Sequence, residues 1–113
     1  MPMDKKYSIY ITNYALDQMQ KIKRYIAEEL LAPQAAKDLL SAMRDAAASL
    51  EGLPFRNPLL EEDKWREQGI RKIVVKNFLM YYWINEEKRT VYVTAVIYGK
   101  RNQLNELEKM VMK

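Results

Sequence analysis

The side chains of this chain that could do chemistry are mainly cations and tyrosines. The sequence contains 0 His and 0 Cys. This absence excludes thiol nucleophiles, disulfide scaffolds, Cys/His zinc sites and a histidine general base. The 19 Lys and Arg residues, the 8 Tyr and the 15 Asp and Glu residues remain available. No spaced ligand pattern or glycine-rich phosphate loop is present, so we expect no metal and no cofactor.

The segment Tyr98-Gly99-Lys100-Arg101 is the most informative of the cationic segments. It follows a long apolar run that alternates with period two, and Gly99 permits a sharp exit from a strand. Lys100 and Arg101 would therefore project beyond the end of a sheet. The second half of the chain holds the excess positive charge, because residues 63–113 carry 11 basic and 6 acidic side chains. An anionic partner is expected on that half.

Cations also begin and end another predicted strand. The strand-end cations are Arg71, Lys72, Lys76, Lys100 and Arg101. One hypothesis is that Arg71, Lys76, Lys100 and Arg101 converge on one surface. Next to Tyr81 or Tyr98, such a cluster would suit phosphate contact and base stacking. The alternative is that they are ordinary solubilising charges at strand ends.

The length of 113 residues predicts one domain, residues 1–113. No apolar run approaches the ~20 residues needed to cross a bilayer, so we expect a cytoplasmic protein that does not enter membranes. The strand Tyr7–Ile11 is followed by a helix that Thr12 or Asn13 caps and that ends near Leu31. A second helix begins at Pro33, and we expect Gly52 to end it by taking a left-handed backbone conformation. The two helices should form an antiparallel hairpin.

Residues 53–69 are predicted to form a loop that Trp65 and Ile70 anchor. Three strands of an antiparallel meander follow, at residues 71–76, 78–84 and 90–98. The middle strand is apolar on both faces and should be covered on both sides. Asn102 can cap a short C-terminal helix. These elements predict an α+β domain in which a helical hairpin packs on an antiparallel sheet.

The chain resembles the RelE/ParE superfamily of toxins from type II toxin–antitoxin systems, often labelled plasmid-stabilisation proteins. The resemblance spans nearly the whole chain and includes Leu50-Glu51-Gly52-Leu53-Pro54 at the end of the hairpin. It is clearest in residues 69–82, which are similar to the family's arginine, apolar strand and aromatic hairpin. The segment Tyr98-Gly99-Lys100-Arg101 resembles the basic end of the family's closing strand.

The resemblance implies two alternative activities. RelE-like members cleave mRNA in the ribosome without a metal: the ribose 2′-hydroxyl attacks the adjacent phosphate, and basic side chains stabilise the developing charge. ParE-like members bind DNA gyrase and block it. Members of both types are held inactive by an antitoxin segment that wraps the toxin, which we expect to be acidic or amphipathic and to cover the sheet edge, the hairpin groove or both.

Individual positions favour the ParE side of the superfamily. The family's arginine after the last strand corresponds to Arg101, and basic residues of the first meander strand correspond to Arg71 and Lys72. The RelE-type arginine of the second meander strand falls at Leu79, and the RelE-type tyrosine of the final helix falls near Leu107.

The resemblance therefore predicts a toxin that inhibits growth by binding a macromolecular target, gyrase first. A ribosome-dependent endoribonuclease is the alternative, and a degenerate toxin with little activity is a third possibility. The candidate catalytic residues of the endoribonuclease are Arg71, Lys72, Lys76 and Arg101. The candidate binding residues are Arg71, Lys76, Tyr98, Lys100 and Arg101.

Overall fold

The strands and helices follow the order that the sequence patterns predict, with one additional short helix between the helical hairpin and the meander. The structure, a computed structural model, describes residues 6–113; residues 1–5 of the expected domain lie outside the described residues. The strands are β1 (Ser8–Ile11), β2 (Arg71–Val75), β3 (Phe78–Asn85) and β4 (Thr90–Tyr98). The helices are α1 (Asn13–Arg24), α2 (Pro33–Ser49), α3 (Asp63–Glu67) and α4 (Gln103–Leu107). The predicted α+β class is confirmed.

The four strands form one mixed sheet in the order β1-β4-β3-β2. Strands β2, β3 and β4 form the predicted antiparallel meander, and β1 adds to β4 in parallel. The first hairpin turns through Lys76 and Asn77, and Lys76 takes a left-handed φ of 54°. Strands β1 and β2 are consequently the edges of the sheet.

Strand β3 is covered on both faces, as its apolar pattern predicts. The core on the helical-hairpin side includes Met19, Leu40, Met43, Met80, Tyr82 and Val93. The opposite side of the sheet is called the outer face, and the core on it is called the outer core. The outer core includes Leu60, Trp65, Ile70, Tyr81, Ile97 and Leu107. Alternation along the strands sends neighbouring side chains to opposite cores, which is why β3 has almost no polar residues.

Helix α1 is joined to β4 at its N-cap, where the Thr12 amide donates to the Val93 carbonyl at 3.0 Å, and again at Gln18. The Thr12 hydroxyl accepts a hydrogen bond from the Ala15 amide at 3.2 Å, which caps the helix as predicted. Farther along, the Gln18 side-chain oxygen accepts a hydrogen bond of 2.8 Å from the Val96 amide. Strand β4 has one extra residue, Thr94, between the residues that pair with Tyr81 and Tyr82. This irregularity locally disrupts the ladder, and Gln18 supplies an acceptor next to it.

Two predicted helix ends are wrong. The first helix does not run as an α-helix to Leu31: it changes at Tyr25–Glu29 into a π-helical turn, and the chain reverses at Leu31 with φ 51°. The second correction concerns Gly52, which does not take a left-handed conformation. Helix α2 instead ends in tight turns, where the Leu50 amide bonds to the Ala47 carbonyl at 3.0 Å, so no left-handed residue is required.

The segment 53–69 contains a short helix that the sequence pattern did not predict. Helix α3 places Trp65 in the outer core with 6% of its surface exposed, and Ile70 is fully buried there. The predicted anchoring of this segment by Trp65 and Ile70 is therefore confirmed. The segment covers part of the outer face and brings residues 53–57 to the start of β2.

Candidate functional site

The end of β4 and the β2–β3 turn lie side by side. The Gly99 amide donates a hydrogen bond to the Asn77 carbonyl at 2.8 Å, and the Phe78 and Tyr98 rings are 5.5 Å apart. A Cβ atom at position 99 would lie 3.1 Å from the Asn77 carbonyl oxygen. The absence of a side chain at Gly99 therefore permits this close approach of two backbone segments.

A concavity of about 330 Å³ lies at this junction and is called the strand-end concavity here. Its lining includes Val74, Lys76, Leu79, Tyr98, Gly99 and Lys100. Val74 has 66% of its surface exposed and Tyr98 has 37%. Two lysines therefore border a concavity whose other side chains are largely apolar or aromatic, which is an arrangement suited to a partner with both anionic and apolar groups.

The hypothesis that four strand-end cations converge holds only in part. Lys76 and Lys100 line the same concavity, and Arg101 follows directly with an exposed side chain. Arg71 lies at the other end of β2, five positions from Lys76 and hence roughly 16 Å away at ~3.3 Å per strand residue. Its guanidinium donates hydrogen bonds to the carbonyls of Phe55 and Asn57. Arg71 therefore does not join the other cations.

Lys72 lies between these two groups. It is exposed on β2, opposite Tyr81 of β3 in the register of the sheet. Strand alternation places it on the same face as Val74, two residues along the strand towards the concavity. Lys72 consequently extends the positive charge along the β2 edge without lining the concavity itself.

The two consecutive tyrosines of β3 are structural. Tyr81 is 1% exposed and its hydroxyl donates to the Gln103 side-chain oxygen at 2.8 Å. Tyr82 is fully buried and its hydroxyl donates to the Pro54 carbonyl at 2.8 Å. Burial raises the pKa of Tyr81 to about 12, with a smaller contribution from Glu62, and burial also raises the pKa of Tyr82. Tyr81 therefore cannot provide the stacking surface that the sequence suggested, whereas Tyr98 is accessible.

The charges at the strand-end concavity are not neutralised within the described part of the chain. The ion pairs among residues 6–113 are Lys21–Asp17, Lys64–Glu108 and Lys109–Glu106. None of them includes Lys76, Lys100 or Arg101. Over the same residues, no group of three or more acidic side chains is placed to hold a metal ion. The concavity is therefore a site of uncompensated positive charge, open to an anionic partner.

At both positions where RelE-type members have a functional arginine or tyrosine, this chain has a leucine that packs among apolar side chains. Leu79 lines the strand-end concavity, next to Val74 in the sheet register. Leu107 is 1% exposed and packs in the outer core with Trp65 and Ile70. At neither position does the chain offer a cation or a hydroxyl to a substrate.

Sequence patterns did not indicate a second cluster, formed by Phe55, Arg56 and Arg71. Phe55 and Arg71 meet because residues 53–57 fold back onto the start of β2, and Arg56 lies in the same segment. The guanidinium carbon of Arg71 lies 5.2 Å from the Phe55 ring centroid. No periodicity marks this loop, and the contact joins residues 16 positions apart, so only the folded chain reveals the cluster.

A helical hairpin on a four-stranded mixed sheet, with cations at the end of the last strand, defines the chain as a small α+β protein. Residues 9–103 match the family described as ParE toxin of type II toxin-antitoxin system, parDE. The chain belongs to this family, and the resemblance to the RelE/ParE superfamily is confirmed.

Solved structures agree with this fold. The chromosomal ParDE toxin–antitoxin system from P. aeruginosa matches with a TM-score of 0.67 and 12% identity, over 83% of this chain and 97% of that chain. The RelBE2 toxin–antitoxin complex from Mycobacterium tuberculosis matches with a TM-score of 0.60 and 19% identity, over 82% and 98% of the two chains. A mutant of the E. coli toxin RelE in the free state matches with a TM-score of 0.57 and 16% identity, over 89% and 92%. At these identities the likeness establishes the fold alone.

No curated protein sequence matches the chain. Within residues 6–113, no helix is long and apolar enough to cross a membrane.

Proposed function

We propose that this ParE-family toxin inhibits growth by binding DNA gyrase, and that a cognate antitoxin neutralises it in the cytoplasm. The observation that carries the proposal is the composition of the strand-end concavity. Lys76 and Lys100 border it, Leu79 lines it, and none of its lining residues is a carboxylate or an imidazole. Such a surface can bind an anionic and apolar patch on another protein, but it has no carboxylate or imidazole that could act as a general base.

Cleavage of RNA by its own 2′-hydroxyl would require more than two lysines. The attacking hydroxyl must lose a proton, and the developing charge on the phosphate must be stabilised. Leu79 and Leu107 supply neither function. The hydroxyls of Tyr81 and Tyr82 are hydrogen-bonded inside the protein, and the pKa of about 12 for Tyr81 keeps it protonated at neutral pH. The residues present therefore favour binding over catalysis.

A cognate antitoxin is supported by family membership and by the available surfaces. The structural relatives from P. aeruginosa and M. tuberculosis are described as a toxin–antitoxin system and a toxin–antitoxin complex. In this chain, a second concavity of about 260 Å³ lies between the helical hairpin and the β2–β3 turn, lined by Ile26, Leu39 and Phe78 among others. Strand β2 is an edge of the sheet. An antitoxin segment could use the groove, the edge or both.

The endoribonuclease activity is the second candidate, and one observation favours it. Lys76 and Lys100 lie in the same concavity, and two such cations could contact a phosphate. Arg101 next to them could contribute a guanidinium. The endoribonuclease alternative predicts cleaved mRNAs in cells that express the chain, whereas gyrase binding predicts none.

The two activities are separated by inducing the chain in bacterial cells and measuring three quantities in one culture: growth, the 5′ ends of messenger RNAs, and the superhelical density of a reporter plasmid. We expect growth to stop and the plasmid to lose negative supercoiling while the mRNA ends stay unchanged. Codon-positioned cuts would overturn the proposal in favour of the nuclease. Normal growth with unchanged plasmid topology would show that the chain is not toxic.

A matched pair of variants tests whether the cations at the end of β4 take part. Arg101→Ala removes an exposed cation at this end, and Lys37→Ala removes an exposed cation from helix α2. Arg101→Ala should restore growth to a large extent, whereas Lys37→Ala should remain as inhibitory as the parent chain. Equal inhibition by both variants would remove Arg101 from the proposed binding surface.

A further inference from the structure

The turn of the helical hairpin carries three large apolar side chains that the fold leaves exposed to solvent. Tyr25 has 56% of its surface exposed, Leu30 has 55% and Leu31 has 81%. These three residues are called the hairpin-tip patch. They belong to neither core of the protein, and they line neither of the two concavities described above. Adjacent exposed side chains of this size are typical of a protein-binding surface.

The π-helical turn at Tyr25–Glu29 brings the members of the patch together. The Leu30 amide donates a hydrogen bond to the Tyr25 carbonyl at 3.1 Å, five residues back along the chain. Residues joined in this way lie one π-helical turn apart and therefore project from the same side of the helix. The Ala32 amide donates to the Ile26 carbonyl at 3.0 Å, which fixes the reversal that carries Leu31. Hydrogen bonds of one backbone segment thus make the patch continuous.

The backbone at Leu31 is strained, although its side chain gains no packing within the chain. Its φ of 51° lies in the left-handed region, which glycine and asparagine adopt with the least steric penalty. Leucine incurs that penalty here while 81% of its surface remains in water. Strained residues that the surrounding fold does not use cluster at binding positions. The strain at Leu31 is therefore consistent with a role for its side chain in contact with another molecule.

Charges of both signs surround the hairpin-tip patch. Lys23 and Arg24 precede Tyr25, and Glu28 and Glu29 follow it. All four charged side chains are exposed, and none takes part in an ion pair across the described residues, 6–113. Their formal charges add to zero. The field around the patch consequently favours neither an anionic nor a cationic partner.

The order of these charges makes the segment self-complementary. Arg24 lies two positions before Ile26, and Glu28 lies two positions after it. When two copies of a helix pack antiparallel about a two-fold axis at Ile26, Arg24 of each copy faces Glu28 of the other. A two-fold axis makes every contact occur twice, so the same arrangement gives two equivalent ion pairs. The apolar side chains beside Arg24 and Glu28 are brought together by the same axis.

We propose that the hairpin-tip patch joins two copies of this chain in a two-fold dimer. Tyr25, Leu30 and Leu31 of the two copies pack against one another, and reciprocal Arg24–Glu28 ion pairs set the register. Exposed ion pairs add little affinity, but they select the orientation. The patch has far fewer residues than the roughly 20–30 per side of a standard interface, so the dimer should be weak and concentration-dependent. The proposal does not depend on gyrase being the target.

A second copy fits the patch better than a strongly acidic or strongly basic partner does. An acidic partner would place like charges against Glu28 and Glu29, and a basic partner would place like charges against Arg24. A second copy satisfies both signs at once, because it presents the same cation and the same carboxylates in the reverse order. The self-complementary charge order is thus the observation that identifies the partner.

The proposal is tested by sedimentation equilibrium of the purified chain over a range of about 5 to 500 µM, which covers weak association. We expect a reversible monomer–dimer equilibrium. Leu31→Asn removes the apolar side chain at a backbone conformation that asparagine tolerates, so it should weaken the dimer at least about tenfold without lowering the Tm of the dilute monomer. Leu53→Asn makes the same change at another exposed leucine and should alter the dissociation constant less than about twofold.

Exchange of charges tests the two-fold arrangement. Arg24→Glu alone and Glu28→Arg alone should each weaken the dimer, because each variant sets like charges against each other at both equivalent positions. An equimolar mixture of the two variants should form a heterodimer, because every facing pair is then again of opposite sign. An ion pair within one chain cannot produce recovery on mixing. The mixture therefore distinguishes a contact between copies from a contact within one copy.

Three results would overturn the proposal: a monomer at every concentration, equal weakening by Leu31→Asn and Leu53→Asn, or no recovery when the two charge variants are mixed. A monomeric parent chain whose growth inhibition is relieved by Leu31→Asn would assign the patch to the cellular target instead. The replaced side chains are exposed, so all the variants should fold. Thermal unfolding of each variant checks that lost association does not come from lost structure.

Discussion

Replacing Tyr82 with phenylalanine tests how the fold holds the loop at residues 53–57. The substitution removes one oxygen atom and keeps the ring in the core. In the native chain that hydroxyl is fully buried, donates to the Pro54 carbonyl at 2.8 Å and accepts from the Asn57 amide at 3.1 Å. Asn57 is half-buried and can turn towards water, but Pro54 is buried and its carbonyl would lose this donor.

The expected cost follows from that asymmetry. A buried polar group left without its partner costs about 1–3 kcal/mol. We therefore expect Tyr82→Phe to lower the free energy of unfolding by about 2 kcal/mol. For a chain of this size each kcal/mol corresponds to about 4 °C, so the Tm should fall by roughly 8 °C.

The control is Tyr81→Phe, the same chemical change at the neighbouring position. The Tyr81 hydroxyl donates to the Gln103 side-chain oxygen at 2.8 Å, in a half-buried contact that water can replace. This variant should lose less than about 1 kcal/mol. Urea unfolding followed by circular dichroism measures both. Equal losses in the two variants, or a Tyr82→Phe stability within about 0.5 kcal/mol of the parent, would refute the reasoning.

Three further predictions concern the helix–sheet contact, alkaline stability and toxicity. Gln18→Ala removes the acceptor of the Val96 amide and should cost about 1–2 kcal/mol in urea unfolding, whereas Gln20→Ala on the exposed face of α1 should cost less than about 0.5 kcal/mol. Burial raises the pKa of Tyr81 from 10.0 to about 12, so its contribution to stability is complete below about pH 10 and is lost as the pH rises through about 12. Tyr81→Phe should therefore lose less stability than the parent over that interval, and an identical alkaline decline in the two proteins would contradict the assignment. Arg101→Ala should relieve growth inhibition in induced cultures while Gln20→Ala should not, and a reversed order would exclude the end of β4 from the toxic surface.

The regular elements were predictable because their residues repeat at the spacing of the structure they form. The alternation of Val91, Val93 and Tyr92 predicts β4, and the apolar stripe through Ala15 and Met19 predicts α1. The π-helical turn at Tyr25–Glu29 was not predictable from the sequence. A π-helical turn holds about one residue more than an α-helical turn, so the apolar stripe along the helix stays almost continuous through it. Helix α3 has only five residues, too few to show a helical period.

The candidate site was predictable only where short-range chain geometry determines it. The two-residue turn after β2 and the exit at Gly99 bring Lys76 and Lys100 together, because antiparallel pairing places those chain ends side by side. The predicted convergence was wrong for Arg71 because Arg71 and Lys76 lie at opposite ends of one extended strand, and the length of β2 keeps them apart. The contact of Arg71 with Phe55 depends on the path of an irregular loop, and no local pattern encodes that path.

Gyrase supercoiling in the presence of the purified chain is the most direct test of the proposed activity. Relaxed plasmid, gyrase and ATP are incubated with increasing amounts of the protein, and the plasmid topology is read on a gel. We predict that supercoiling falls with dose, and that Arg101→Ala requires a markedly higher dose than Gln20→Ala for the same effect. Full supercoiling at a molar excess of a folded chain that still arrests growth would contradict gyrase binding as the basis of toxicity.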